Sequence, residues 1–238
     1  MNAQPLRVGV DAAPPAPMCC GLPGEPGFEG FEVDLLRALA RHLQRPLIFE
    51  ASLWATLLER LQARRIDVIC TAATITPERE RQFLFSEPYL RTRLAVVSRR
   101  DVPIRTLEEF RGRVGVREST PAEAYAVGFG LQPTRFHFNT EVYRALFSGS
   151  LDVVVDDFPI GAWFSRQSGG LQVSPLDGTD ARYATVMRRD DSALKTALDG
   201  AILATLADGS YASAYARWLE PVVGDACDVT AGARRHRW

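Results

Sequence analysis

An arginine in the first turn of a helix that follows a strand can hold an anion, and Thr74-Ile75-Thr76-Pro77-Glu78-Arg79 has that composition. Upstream, Ile66-Asp67-Val68-Ile69-Cys70 reads as a strand and Thr71-Ala72-Ala73 as a turn of small residues. Thr76 suits a helix cap and Pro77 the first helical position. A helix start offers unpaired N–H groups and the positive end of the dipole, and an arginine one turn in forks two hydrogen bonds onto a carboxylate. The same residues also suit an ordinary strand-turn-helix corner with a solvent-exposed arginine. The remainder of the chain decides between the two.

Other reactive residue types point away from metal and hydrolytic chemistry. Cys19, Cys20, Cys70 and Cys227 lack metal-site spacing, and His42, His137 and His236 fall on a helix, a strand and the tail. Neither a metal nor any other cofactor is expected. Cys70, inside an apolar strand, reads as a core residue. A disulfide from Cys227 to Cys19 or Cys20 suits an oxidising compartment, with connectivity left open. At 238 residues the chain is long enough for one large domain or two small lobes. A net charge of -1 gives no reason to expect nucleic acid or an anionic membrane, so the partner is a small molecule or another protein. No run of eighteen apolar residues exists, and Met1 to Leu6 holds no signal-peptide core. Either the chain is cytosolic, or a signal was removed and Met1 added.

These residues must be positioned by alternating strands and helices. Leu6, Val8 and Val10 alternate with Arg7 and Gly9, which predicts a strand ending at Asp11. Residues 12–30 are rich in proline and glycine and read as a loop. A helix follows from Phe31, with Leu36, Leu39, Ala40 and Leu43 on one face, ended by Pro46. Leu47 to Phe49 make a second strand, Trp54, Leu57, Leu58 and Leu61 a second helix, and Ile66 opens the third strand. Such a βαβαβ run implies a mostly parallel sheet with helices on its faces. Leu94 to Val97 read as a further strand, and then the pattern restarts. Thr106-Leu107-Glu108-Glu109 and Thr120-Pro121-Ala122-Glu123 are capping boxes, Val114 to Val116 and Arg135 to Phe138 strands, and Thr140 the cap of another helix. Leu151-Asp152-Val153-Val154 echoes Ile66-Asp67-Val68-Ile69, so the halves look like versions of one α/β unit. Tyr183 to Met187 is a return strand, followed by helices over Ala193 to Leu206 and Tyr211 to Leu219; the tail from Pro221 has no period.

Gly30-Phe31-Glu32-Val33-Asp34-Leu35, the Thr74 to Arg79 stretch, Phe85-Ser86-Glu87-Pro88-Tyr89 and Asp156-Asp157, in that order and spacing, closely resemble the polar amino-acid-binding proteins of bacterial ABC importers. The resemblance covers about residues 6 to 219. It implies an α/β fold with two lobes of the type II periplasmic-binding kind, each a mixed, mainly parallel sheet flanked by helices. Two crossover strands would form the hinge, with lobe boundaries at 1–92 plus 185–238 and 93–184, and the ligand would be held in the cleft. It also implies a periplasmic monomer that delivers its ligand to an ABC transporter permease.

Carried over residue by residue, the resemblance gives Arg79 the ligand α-carboxylate, assisted by Thr74 and by the helix start at Thr120, although Pro121 lacks the N–H usually donated there. Asp157 receives the α-ammonium with the carbonyl of Ala72, and Trp54 packs on the ligand side chain. Asp11 and Arg117 meet its distal end, where an amide can donate to one and accept from the other, so a glutamine-like ligand is the first expectation. The alternatives are a cyclohexadienyl-dehydratase-like enzyme and a sensor module. The enzyme resemblance wants a glutamate acid shortly after Asp157, where Phe158-Pro159-Ile160 stands and supplies no proton donor.

Overall fold

In the computed structural model, which describes residues 4–108, 110–224 and 227, the apolar runs become two five-stranded sheets, each in its own compact unit. One unit holds the chain up to Arg91 and from Arg182 onward, the other Thr92–Ala181. The first contains β1 (Leu6–Asp11), α1 (Phe31–Leu43), β2 (Leu47–Ser52), α2 (Trp54–Gln62), β3 (Val68–Ile69), α3 (Pro77–Glu80) and β4 (Phe83–Phe85). Through β5 (Leu90–Thr92) the chain enters the second, with β6 (Leu94–Arg99), β7 (Val114–Arg117), α4 (Pro121–Gly128), β8 (Thr134–Phe136), α5 (Asn139–Phe147), β9 (Val153–Asp157), α6 (Phe158–Ser168) and β10 (Leu171–Pro175). It returns through β11 (Ala181–Tyr183) to β12 (Val186–Arg188), α7 (Ser192–Ala207), α8 (Ser210–Trp218) and α9 (Glu220–Val223).

The two sheets have one topology. Strand order is β2-β1-β3-β12-β4 in the first unit and β8-β7-β9-β6-β10 in the second. In the first, β1 is parallel to β2 and β3, and β12 runs antiparallel to β3 and β4. In the second, β7 is parallel to β8 and β9, and β6 runs antiparallel to β9 and β10. One strand in each therefore opposes the other four, and both opposing strands follow a passage of the chain between units. The sheets are mixed and mainly parallel.

Sequence explains why the halves match. Arg7-Val8-Gly9-Val10-Asp11 in β1 recurs as Arg113-Val114-Gly115-Val116-Arg117 at β7. The Asp67 carboxylate accepts the Arg7 backbone N–H at 2.9 Å and the guanidinium Nε and Nη2 at 3.2 and 2.7 Å. Asp152 does the same for Arg113 at 2.8, 3.1 and 2.8 Å. The aspartate N–H groups answer with bonds to the arginine carbonyls, at 2.8 and 2.9 Å. Each arginine-aspartate pair fixes how two parallel neighbours lie side by side, β1 and β3 in the first unit and β7 and β9 in the second. Gly9 and Gly115 share a second role, because a Cβ at Gly9 would collide with Ile66 and Leu57, and one at Gly115 with Leu151.

Apolar residues cover the sheets. Leu57, Leu61, Ile66, Ile69, Phe83 and Phe85 make one cluster of the first unit, and α1 packs against α7 and α8. Val96, Val114, Val116, Val153 and Val155 point to one core of the second unit, and Val97, Val142, Leu146 and Val154 to another. A sheet buried on both faces leaves the strand ends as the places where polar side chains gather.

Several local expectations are corrected. β3 is shorter than the run from Ile66, and β2 is longer than Leu47 to Phe49. No helix follows Thr106 among the described residues; its hydroxyl accepts the Glu108 N–H at 3.1 Å in a turn, while Ile104, Leu107 and Phe110 pack on the core. Glu109 lies outside the described residues. α5 begins at Asn139, ahead of Thr140, with the Glu141 carboxylate accepting the Phe138 N–H at 3.4 Å. α6 has no expected counterpart, because its glycine at 161 obscures the period; Gly161 is where the helix meets Val97. The tail beyond residue 227 lies outside the described residues. Adding a methyl group at Gly9 or Gly115 is expected to destabilise the protein by about 1–3 kcal/mol, read as a lowered urea midpoint. Gly128→Ala, in open space on α4, should leave the midpoint unchanged or raised.

Candidate functional site

In the first unit the chain leaves β3 and turns through Thr71 to Thr74. Ala72 takes a left-handed φ of 50°, and its N–H donates to Glu32 Oε1 at 2.7 Å. Thr74 is buried and bridges Tyr183, flanked by bonds from the Ile75 N–H to the Arg182 carbonyl at 2.9 Å and from the Ala184 N–H to the Ala73 carbonyl at 3.1 Å. Thr76 caps α3, its hydroxyl accepting the Arg79 N–H at 3.2 Å. The Arg79 side chain turns back over this corner. Its Nη1 donates to the Thr74 carbonyl at 2.9 Å, and the guanidinium lies 4.5 Å from the centre of the Trp54 ring. Stacking and that hydrogen bond fix the guanidinium plane, which bidentate contact with a carboxylate requires. Trp54 opens α2 and packs partly against the Leu57 cluster, so one residue serves core and site. Asp11, 3% exposed at the end of β1, donates its N–H to the Thr71 hydroxyl at 3.2 Å and accepts the Ala13 N–H at 2.9 Å.

Glu32 stands behind this corner. It is 1% exposed on α1, and Oε1 also accepts the Tyr89 hydroxyl, which in turn is 3.7 Å from the Cys70 thiol. Burial pushes the Glu32 carboxyl up to about 7, against the opposing pull of the Tyr89 and Ala72 donors. The Cys19 and Cys70 thiols are also pushed up by burial, which keeps them protonated and unreactive. Cys19 and Cys20 carry free thiols, so neither forms the disulfide considered with Cys227, and Cys70 is a free thiol in the core.

In the second unit Arg117 ends β7, and its Nε donates to the His137 carbonyl at 3.2 Å. The Thr120 hydroxyl donates to the Arg117 carbonyl at 2.7 Å and accepts the Glu123 N–H at 3.3 Å, capping α4. Glu123 does not close the expected box on Thr120. Its carboxylate takes the N–H of Ser119 instead, at 2.7 Å, because Ser119 adopts a left-handed φ of 59°. Asp157 is 8% exposed at the junction of β9 and α6. Beside it Asp156 accepts the Asn139 amide and the Tyr143 hydroxyl, both at 3.0 Å, and the Asp157 N–H at 2.8 Å. Burial, then the neighbouring Asp157 charge, push Asp156 up to about 7.

The structure thus brings Trp54, Thr74 and Arg79 into one group and Arg117 and Thr120 into another. Glu32, Tyr89, Thr71 and Asp156 join them as residues that sequence reasoning did not assign. Glu32 was detectable, since Leu35, Leu36 and Leu39 at i+3, i+4 and i+7 put it on the apolar face of α1. Asp156 carried the signal of a carboxylate inside a valine run. Among the described residues no three His, Cys, Asp or Glu side chains are placed to hold a metal ion, and no helix is long and apolar enough to cross a membrane.

The two α/β units share one topology, with Arg79 fixed over a strand-to-helix turn in the first and a buried aspartate pair at a strand end in the second. The chain matches the bacterial extracellular solute-binding proteins, family 3, over residues 6–221, and belongs to that family. It is 26% identical over 225 residues to the ABC transporter arginine-binding protein 1 of Escherichia coli (strain K12), covering 91% of each chain. An ancestral arginine-binding protein bound to arginine superposes with a TM-score of 0.83 at 28% identity, over 92% of this chain and 100% of the other. An ancestral arginine-binding protein bound to glutamine gives 0.82 at 27%, over 92% and 99%.

Both raised carboxyls predict a pH dependence of stability. The folded protein keeps their protons up to about pH 7, whereas the unfolded chain releases them near its ordinary carboxyl values of about 4. The unfolded state binds fewer protons in that window, so stability is greatest below about pH 4 for these groups and is lost as pH rises to about 7. Glu32→Gln and Asp156→Asn, neutral at all pH, are each expected to remove part of this slope in urea titrations between pH 4.5 and 7.5. Unchanged slopes would contradict the assignment.

Proposed function

We propose that this chain is a periplasmic binding protein that captures one polar α-amino acid as a zwitterion and hands it to the permease of an ABC importer. The observation that carries the proposal is the guanidinium of Arg79, held flat by Trp54 and by the Thr74 carbonyl. In this assignment Arg79 takes the α-carboxylate, helped by the N–H and hydroxyl of Thr74 and by the α4 cap at Thr120. Asp157 takes the α-ammonium with the Ala72 carbonyl, and Trp54 covers the aliphatic part of the ligand. A zwitterion leaving water needs both charges met, because a bare buried charge costs several kcal/mol. A ligand that meets both favours whichever arrangement of the units allows it.

The distal end falls to Asp11 and Arg117. A glutamine amide would donate to the first and accept from the second. A basic side chain is the second reading, supported by the buried carboxyl of Asp11 and by the arginine-binding relatives, with Arg117 staying turned toward the His137 carbonyl. Catalysis is disfavoured because α6, directly after Asp157, contains neither aspartate nor glutamate to act as general acid.

A thermal-shift screen of the twenty amino acids tests the function. A ligand at a hundred times its Kd adds about 2.7 kcal/mol, a rise of several degrees for the best one. Arg79→Ala should weaken that ligand by about a hundredfold, the size expected when one partner of a desolvated charge pair is removed. A screen without any shift would sink the proposed function, and an undiminished shift in Arg79→Ala would sink the site assignment.

A further inference from the structure

The turn between β3 and α3 depends on a backbone conformation that alanine does not adopt without cost. A left-handed residue with a Cβ is about 1–2 kcal/mol less favourable than the usual conformation, yet Ala72 has a φ of 50°. Its N–H is held at 2.7 Å by Glu32 Oε1, forty residues earlier in the chain. Packing alone gives no reason for an acid at that place on α1. Leu35, Leu36 and Leu39 share its buried face, and a methionine would fill similar volume without desolvating a carboxyl. The Oε2 atom is buried and has no hydrogen-bond partner, so the acid is retained although half of its bonding capacity is wasted. What it supplies is an acceptor for Ala72, steadied by the Tyr89 hydroxyl.

We propose that Glu32 is a positioning residue for ligand capture: by fixing Ala72 in the left-handed conformation it aims the Ala72 carbonyl and sets the path of the chain to Thr74 and Arg79. The proposal rests on the amino-acid-binding function argued above and adds to it a residue that need not touch the ligand. The second unit contains the same device. Ser119, with a φ of 59°, gives its N–H to Glu123 Oε2 at 2.7 Å, one residue before the Thr120 cap. In both units a glutamate carboxylate holds a strained residue in the turn between a strand and the next helix.

Four variants and two readouts test it. Calorimetry with the best amino acid of the screen measures affinity, and NMR amide exchange of Ala72 in the ligand-free protein measures the hold itself. Glu32→Gln still offers an oxygen to the Ala72 N–H and is expected to bind within about threefold of the parent. Glu32→Met fills the space without an acceptor and should bind at least about tenfold more weakly, the effect of losing one buried hydrogen bond. Ala72→Gly, added to Glu32→Met, should recover at least about threefold, because glycine enters the left-handed region freely. Ala72→Val, with Glu32 intact, should weaken binding as Glu32→Met does. Parent-like affinity in Glu32→Met, or a loss that glycine does not repair, would overturn the proposal in favour of simple packing. If the parent binds no amino acid, the proposed function fails, and exchange decides the positioning role. Ala72 should exchange at least about tenfold faster in Glu32→Met than in the parent or Glu32→Gln, and equal rates would overturn it.

Discussion

A carboxyl buried without compensation is among the most costly features a fold can carry, and the strand ends of this protein are arranged around that cost. Asp67 and Asp152 are neutralised by the arginines beside them in the sheets. Glu32 and Asp156 are shielded by tyrosine hydroxyls and held close to neutral by burial. With those carboxyls settled inside the fold, the proposed function assigns the two ends of a zwitterion to Arg79 and Asp157. Arg79 presents a guanidinium plane fixed by Trp54 and the Thr74 carbonyl, and Asp157 lies buried beside Asp156 at the end of β9.

Repetition explains how two such ends came to resemble each other physically. Arg7 and Arg113 open the two copies of one strand, and the fifth residue of each copy is Asp11 in the first and Arg117 in the second. Equivalent positions at the carboxyl ends of equivalent strands thus carry opposite charges. The strand-to-helix turns repeat as well, with Ala72 and Ser119 both left-handed and both anchored on glutamate.

Much of this was legible in the sequence, because strands and helices with clean periods report themselves. β1 matches the predicted Leu6 to Asp11, and α1, α2, α7 and α8 lie where the leucine and alanine spacing puts them. The corner at Thr76 and Pro77 forms as its capping chemistry requires. What escaped has physical reasons. The Thr106 capping box had no apolar face behind it, so Ile104, Leu107 and Phe110 packed individually instead of as a helix. Glu32 stands in a motif beside the first helix, and its burial depends on Tyr89 and Ala72, which are distant in the chain. The left-handed turns at Ala72 and Ser119 carry no glycine and so gave no sequence signal.

The central claim is that Arg79 recognises an α-carboxylate. Its most direct test is calorimetric titration of the parent protein with its tightest-binding amino acid beside the α-carboxamide of the same compound, which keeps the ammonium and side chain and removes only the negative charge. Loss of the charge-assisted fork predicts at least about a hundredfold weaker binding of the amide. Equal affinity for the two would contradict the account.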